Sequence, residues 1–237
     1  MKKLKRVTII TNLLLVAIVA IVTSVCLLPE PIVPIYGGDK FSAIYNGERS
    51  GNSVSIMINV YENTEVVNKM IDLFDEKGVK CTFFVGGCWA DDNGETLVKM
   101  ASSGHEIANH GYFHKDHKNL SYQKNLEEIS NTEKIVLALC GKKTELFAPP
   151  SGSFSTTTLD VAFDLGYKVI MWSKDTIDWR DKDLSLIFKR ATNGVCGGDL
   201  ILMHPKPHTL EILPKIIDYY LDLGLKVTTV SQNLLNI

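Results

Sequence analysis

The sequence predicts an α/β fold in which parallel strands alternate with crossover helices and curve into a barrel or an incomplete barrel. Short β-prone runs alternate with apolar stripes of helical spacing from Val54 to the C-terminus, which is the pattern of strand–helix–strand units. Polar residues able to do chemistry follow the ends of five of these runs, where barrels of this kind place their active sites. A chain of 237 residues with 45% hydrophobic content can bury one sizeable core.

Seven segments are predicted as strands because each is a short run in which β-branched, aromatic or other apolar residues predominate or alternate with polar ones. They are residues 54–58, 80–85, 105–108, 146–148, 168–172, 199–203 and 225–230. Parallel strands need a connection of a dozen or more residues, usually a helix, and each intervening segment is long enough.

Apolar residues at helical spacing predict helices between several of these strands. The stripes are Val67, Met70, Ile71 and Phe74; Leu126, Ile129, Val136 and Leu139; Leu184, Ile187, Phe188 and Ala191; and Ile216, Ile217 and Tyr220. Pro214 is expected in the first turn of the last helix, where its missing amide hydrogen costs nothing.

The N-terminus predicts a membrane anchor. Residues 1–6 are rich in lysine and arginine, and residues 7–28 carry no charge and would span roughly 30 Å as a helix. The basic residues orient the anchor so that the rest of the chain lies outside the cytoplasm. A cleaved signal peptide is the alternative, although its apolar region is normally about 7 to 15 residues long. The predicted organisation is a cytoplasmic tail (1–6), a single-pass transmembrane anchor in the cell membrane (7–28), a stalk (29–53) and a folded domain (54–237).

Charge excludes one class of partner. The formal net charge is −2, and the strong charge asymmetry is confined to the N-terminus. Nucleic-acid binding usually requires a basic face, so no nucleic-acid partner is expected. The membrane, through the N-terminal helix, is an expected partner.

The segment NHGYFH contains the strongest candidate for chemistry, a pair of histidines four residues apart. His110 and His114 follow the third predicted strand and could bind one divalent metal ion, since neutral imidazoles are common zinc ligands. A third ligand and one open position would complete a hydrolytic centre. Surface or structural histidines are the alternative interpretation of the pair.

Several motifs, in this order, resemble the NodB-type polysaccharide deacetylases, which are the family 4 carbohydrate esterases. GVKCTFFVGG (78–87) is similar to the family's second strand, and GHEIANH (104–110) leads into its metal-binding motif. PPSG (149–152), MWSKDTIDW (171–179) and LILMH (200–204) are similar to the later motifs. The resemblance covers Val54 to the C-terminus and is closest to members of the sporulation type.

The resemblance implies a deformed (β/α)7 barrel of the NodB type and removal of N-acetyl groups from cell-wall sugars, either peptidoglycan or chitin-like polymers. It implies a divalent metal, zinc above all, on His110 and His114, and a general acid at His204 with Asp178 as its carboxylate partner. Trp172 and Leu202 match residues that wall the acetyl pocket, and Pro149 belongs to the third motif. Tyr112 is expected to stack against sugar rings.

The first motif departs from the family. Active members have TFDDG at the end of the first strand, with a catalytic base and then a metal ligand; residues 57–61 here are MINVY. Asn59 cannot accept a proton from water near neutral pH, and Val60 cannot bind a metal. The base-orienting arginine of the third motif is replaced by Ala148.

Two interpretations follow from these departures. His117 or Asp116 could supply the missing ligand, and Glu62 could replace the base, so that the chain remains a metal-dependent deacetylase. Alternatively, the chain is a catalytically inactive protein that binds cell-wall glycan, or a scaffold in cell-wall or spore remodelling.

Overall fold

The computed structural model describes residues 15–16 and 42–234. Apart from Leu15 and Val16, which are helical, the predicted anchor (7–28) lies outside the described residues, as do the tail (1–6) and the first part of the predicted stalk. Within residues 42–234 and the pair 15–16, no helix is long and apolar enough to cross a bilayer.

Eight strands are present in the described part of the chain, and every pairing between them is parallel. They are β1 (Ser53–Val60), β2 (Thr82–Val85), β3 (Glu106–Asn109), β4 (Leu146–Phe147), β5 (Lys168–Val169), β6 (Lys174–Asp175), β7 (Leu200–Met203) and β8 (Lys226–Val227). The sheet order is β5-β4-β3-β2-β1-β7-β6, and β8 pairs with the start of β1. The predicted α/β class with parallel strands is therefore confirmed.

The sheet is a curled half-barrel and not a closed ring of seven strands. The segment predicted as one strand, 168–172, ends at Val169, and the chain then crosses to the opposite edge of the sheet, where β6 pairs with β7. Among the described residues no strand pairing joins β5 to β6. Ile44 lies beside the β5 edge, where its amide donates to the Val169 carbonyl and its carbonyl accepts from the Met171 amide.

Eight α-helices are present in the described region, and all but the last lie between strands. They are α1 (Thr64–Glu76), α2 (Gly87–Asp92), α3 (Gly94–Ser102), α4 (Tyr122–Cys140), α5 (Thr156–Asp164), α6 (Leu184–Thr192), α7 (Pro207–Asp222) and α8 (Val230–Leu234). The four apolar stripes fall on α1, α4, α6 and α7, as predicted. The prediction that Pro214 lies in the first turn of α7 was wrong, because α7 begins at Pro207. Pro214 lies inside the helix, where it cannot donate a backbone hydrogen bond.

The two faces of β1 are buried in different cores because side chains alternate along a strand. Val54, Ile56, Ile58 and Val60 face the helices and join the large outer cluster. Met57 lies on the other face, in a smaller inner cluster closed by Val230 and Leu234 of α8. The inner cluster fills the hollow of the half-barrel, and the pocket lies above it.

The last residues of the predicted stalk contact the folded domain. Arg49 forms an ion pair of 2.7 Å with Asp199, and the Gly47 amide donates to the Gly198 carbonyl at 2.7 Å. The Glu48 amide donates to the Asn233 carbonyl. These contacts hold residues 47–49 at the amino end of the sheet, away from the strand ends that form the pocket.

Candidate functional site

A pocket of about 330 Å³ opens at the carboxyl ends of the strands. It is lined by Asn59, Tyr61, His114, Ser151, Trp172, Asp175, Trp179, Leu202 and His204. These residues belong to β1, β6 and β7 or to segments that follow β1, β3, β4, β5, β6 and β7. The convergence follows from the parallel topology, which brings the carboxyl ends of all strands to one edge.

The loops around the pocket contain strained backbone. Within residues 42–234, the non-glycine residues with positive φ are Asn63, His114, Ser151 and Ile177. Residues other than glycine rarely adopt this left-handed backbone conformation, and each residue held in it costs on the order of 1–3 kcal/mol of stability. All four lie in loops that contain residues lining the pocket. The fold therefore keeps the loops around the pocket in this conformation at an energetic cost.

His204 and Asp178 form a tightly hydrogen-bonded pair at one side of the pocket. His204 Nδ1 lies 2.7 Å from Asp178 Oδ1, while Asp178 Oδ2 accepts from the His204 amide and from the Thr209 hydroxyl, each at 2.7 Å. Burial acts to raise the pKa of the Asp178 carboxyl, but hydrogen bonds from His204 and Thr209 outweigh it and leave that pKa below its usual value. The ionised carboxylate fixes the ring, so the other ring nitrogen is directed away from Asp178. The predicted pair is thus brought together.

His110 and His114 also lie side by side, with ring centroids 5.1 Å apart. His110 Nδ1 lies 2.7 Å from the Ala148 carbonyl oxygen and donates to it, which leaves Nε2 as an acceptor. Nε2 is buried and has no hydrogen-bond partner among the described residues. Burial, reinforced for His110 by its neighbour, lowers the pKa of both rings, that of His110 to about 3. Both are therefore neutral near pH 7.

Tyr61 covers this pair. Its ring centroid lies 4.2 Å from that of His114 and 6.4 Å from that of His110. Tyr61 and His114 line the pocket, whereas the His110 ring is 1% exposed. Burial and the nearby Glu62 carboxylate raise the pKa of the Tyr61 phenol, so it stays protonated. Tyr61 was not among the predicted site residues, although its position as the last residue of MINVY, directly after β1, was an available signal.

Asn59 and Val60 occupy different environments at the end of β1. Asn59 lines the pocket, and its Oδ1 has no hydrogen-bond partner within residues 42–234. Val60 is fully buried in the outer cluster. The residue aligned with the family's metal ligand therefore packs among apolar side chains.

The three substitutes considered from the sequence do not complete a metal site. His117 Nδ1 lies 2.7 Å from Asn125 Oδ1, and its Nε2 is buried without a hydrogen-bond partner in residues 42–234. Asp116 accepts hydrogen bonds from Ser153 and Asn119. Glu62 is paired with Lys206. None of the three lines the pocket.

The residues present do not fit the metal that the resemblance implies. In the described part of the chain, no group of three or more histidine, cysteine, aspartate or glutamate side chains is arranged to hold a metal ion. His110 and His114 supply two donors, but a zinc site needs three protein ligands for catalysis or four for structure.

The predicted pocket residues divide into two groups. Trp172 and Leu202 line the pocket, as expected. Pro149 is buried beside it, and Ser151, two residues later and missed by the sequence analysis, forms that part of the wall. Tyr112 lies in a second cavity of about 290 Å³, which Phe113 and Glu128 also line.

Comparisons with known proteins identify the family. Residues 46–170, more than half of the chain, match the polysaccharide deacetylase family, and the chain therefore belongs to it, as the resemblance to family 4 carbohydrate esterases predicted. The chain is 35% identical over 189 residues to uncharacterized protein YlxY of Bacillus subtilis, covering 80% of this chain but 59% of YlxY. It is 25% identical over 199 residues to a peptidoglycan-N-acetylglucosamine deacetylase of Bacillus cereus, covering 82% of this chain and 72% of that protein.

Among solved structures, BA3943 of Bacillus anthracis, described as a pseudoenzyme of the CE4 family, superposes with a TM-score of 0.79 and 30% identity. The match covers 81% of this chain and 68% of that one. A mutant of BA3943 described as having restored enzymatic activity has the same TM-score.

Buried neutral histidines make the stability of the fold sensitive to acid. Burial lowers the pKa of His117 to about 4, as it lowers that of His110 to about 3. In the unfolded chain these histidines have pKa values near 6.5. Below that pH they become protonated in the unfolded state while the buried rings of the folded state stay neutral.

We therefore expect the free energy of unfolding to fall between pH 7 and pH 5, by about 2 kcal/mol for each histidine that stays neutral in the fold. Urea denaturation at several pH values measures it. His110→Gln should show a shallower pH dependence than the parent, and an identical slope in both proteins would contradict the assignment.

Proposed function

We propose that this protein binds an N-acetylated cell-wall glycan in its pocket without hydrolysing it. The supporting observation is the state of the histidine pair: Val60, aligned with the family's third ligand, is buried in the outer core, and Tyr61 covers His110 and His114. The Bacillus cereus relative is named for action on peptidoglycan, and BA3943 is described as a pseudoenzyme. The first name supports a cell-wall glycan as the ligand, and the second description supports the absence of hydrolysis.

The remaining catalytic groups are too few for efficient deacetylation. Asn59 is an amide and cannot take a proton from water near neutral pH, and Ala148 supplies no charge to orient a base. His204 and Asp178 could still protonate a leaving amine. One general acid contributes about 10²–10⁴-fold, whereas enzymes accelerate reactions at least about 10⁶-fold.

The pocket nevertheless retains the features of a sugar site. Its volume of about 330 Å³ lies at the lower end of the range for small-ligand pockets. Trp172 and Trp179 offer aromatic faces to the C–H face of a sugar ring. Asn59 and His204 offer polar groups to an acetamido group, and His204 is held in place by Asp178. The energetic cost of the strained loops is consistent with a retained binding role.

A second candidate function is a residual metal-dependent hydrolase, with zinc as the predicted metal. One observation favours it: the acid side of the mechanism, His204 with Asp178, is intact at 2.7 Å. Metal content and acetate release separate it from a binding protein.

We expect the purified protein to contain less than one tenth of an equivalent of zinc, cobalt or nickel, because only two imidazoles are available. No acetate above background should be released from N-acetylglucosamine oligomers or peptidoglycan in the presence of added zinc. Elemental analysis and an enzymatic acetate assay measure both quantities. Stoichiometric metal together with acetate release would establish the hydrolase instead.

We expect N-acetylglucosamine oligomers to bind to the parent protein in isothermal titration calorimetry. Trp172→Ala should weaken this affinity about tenfold, because truncating a central aromatic contact costs about 1.4 kcal/mol or more of binding free energy. Phe113→Ala is the matched control, because this exposed aromatic residue lines the second cavity. Equal losses in both variants, or no binding by the parent to any cell-wall glycan, would favour the scaffold role.

We also propose that residues 7–28 anchor the protein in the cell membrane with the folded domain outside the cytoplasm. The uncharged stretch and the preceding basic residues support this. After cell fractionation the full-length protein should be recovered with membranes, and external protease should degrade its domain in spheroplasts. A soluble, shortened protein would indicate a cleaved signal peptide.

A further inference from the structure

Tyr61 lines the pocket, and its ring lies beside the rings of both His110 and His114, at centroid distances of 6.4 and 4.2 Å. His110 Nε2, the nitrogen that would face a metal, is fully buried and without a hydrogen-bond partner in residues 42–234. His110 does not line the pocket, whereas Tyr61 and His114 do. Tyr61 and His114 thus lie at the pocket surface beside His110, whose acceptor nitrogen is buried.

We propose that Tyr61 is a fixed aromatic cover that keeps divalent transition-metal ions off the His110–His114 pair, independently of the missing carboxylate at position 60. This inference deepens the proposed function, since it assumes that the parent chain holds no metal. A zinc ion must lie about 2.0–2.1 Å from each ligating nitrogen, and a metal cannot reach a nitrogen that packed rings enclose.

The tautomer of His110 is already the one a metal requires. The Nδ1 hydrogen is donated to the Ala148 carbonyl at 2.7 Å, so the Nε2 lone pair is directed to the other side of the ring. In many proteins a metal-bound histidine is oriented in this way, by a carbonyl or carboxylate that accepts a hydrogen bond from its other ring nitrogen. The orientation of the His110 ring is therefore not what prevents metal binding, and the proposed cover acts in addition to the missing third ligand.

The backbone on both sides of Tyr61 is held in place. Before it, the Gly86 amide donates to the Val60 carbonyl at 2.8 Å. After it, Glu62 pairs with Lys206, and the Asn63 side-chain amide donates to the Pro205 carbonyl at 3.0 Å. The segment that bears Tyr61 is thus tied to strand β2's end and to the loop after β7. These ties fix the position of the Tyr61 Cα, and the ring itself packs against His114 at a centroid distance of 4.2 Å.

Zinc titration against a competing chromophoric chelator tests the cover. Tyr61→Ala removes the ring, and Tyr61→Phe keeps it; Tyr61 is 37% exposed, so both variants should fold. We expect Tyr61→Ala to bind zinc at least about tenfold more tightly than the parent and Tyr61→Phe, a change of the size that ligand-environment mutations produce. The gain should disappear in Tyr61→Ala combined with His114→Ala. With cobalt as the probe, a ligand-field absorption band should appear only in the Tyr61→Ala protein.

The outcomes separate this inference from the proposed function. If the parent already binds zinc as tightly as Tyr61→Ala and releases acetate, the proposed non-catalytic function is wrong. If neither parent nor Tyr61→Ala binds zinc, the covering role alone is overturned. A gain of the same size in Tyr61→Phe would also overturn it, because the phenol oxygen and not the ring would then be responsible.

A second set of variants tests whether a carboxylate introduced at position 60 is sufficient for zinc binding. Val60→Asp with Tyr61 retained should gain little zinc affinity, whereas Val60→Asp with Tyr61→Gly should gain at least about a hundredfold, because the third ligand and the space for the ion are both needed. Equal gains in the single and double variants would refute the covering role. Circular dichroism checks that the buried aspartate has not unfolded the domain, and the Tyr61→Ala comparison stands without it.

Discussion

The alternation of side chains along β1 governs the chemistry of this protein. Val54, Ile56, Ile58 and Val60 face the helices, and that apolar row anchors the outer core. Asn59 therefore faces the pocket, and Tyr61, the first residue beyond the strand, lies over the histidine pair. A metal ligand at position 60 would have to direct its side chain away from the helices and toward the histidine pair, whereas Val60 packs in the outer core. One strand thus serves both as the centre of the sheet and as the element that decides which groups the pocket contains.

The pocket contains half of a hydrolytic site, and the two halves differ in how they are maintained. His204 and Asp178 are tied to each other, to Thr209 and to the backbone by hydrogen bonds of 2.7 Å. On the opposite side Asn59 and Tyr61 line the pocket, while Val60 and Ala148 are buried in the outer and inner clusters. A buried pair that satisfies its own hydrogen bonds can be retained whether or not the protein is a catalyst, because removing one partner would leave the other buried and unpaired. The presence of the His204–Asp178 pair is therefore weak evidence for catalytic activity. The replacement of the base and of one metal ligand is stronger evidence against it.

Burial has a consistent effect on the histidines of this molecule. The rings of His105, His110 and His117 are buried, and burial lowers the pKa of each. In a metal centre, neutral rings of this kind would be ready to act as ligands. In this chain they are instead packed between aromatic and backbone groups, as His117 is against Phe147. Binding by such a pocket would depend on shape, stacking and hydrogen bonds more than on charge.

The sequence alone determined the family, the parallel α/β class, the four helices with clear apolar stripes, and the pairing of His204 with Asp178. Periodic burial and short motifs are local signals, and they remain visible in the order of residues. The half-barrel shape was decided by tertiary structure, because two-residue strands such as β5 and β6 have almost no local signature and are defined by their partners. Motif positions placed Tyr61 at the end of the first strand and Ser151 within PPSG, but their contacts, and the separation of Tyr112 from the pocket, were decided by the folded chain. Whether a side chain covers a histidine, lines a cavity or packs in a core depends on where loops distant in sequence meet, and only the folded chain brings them together.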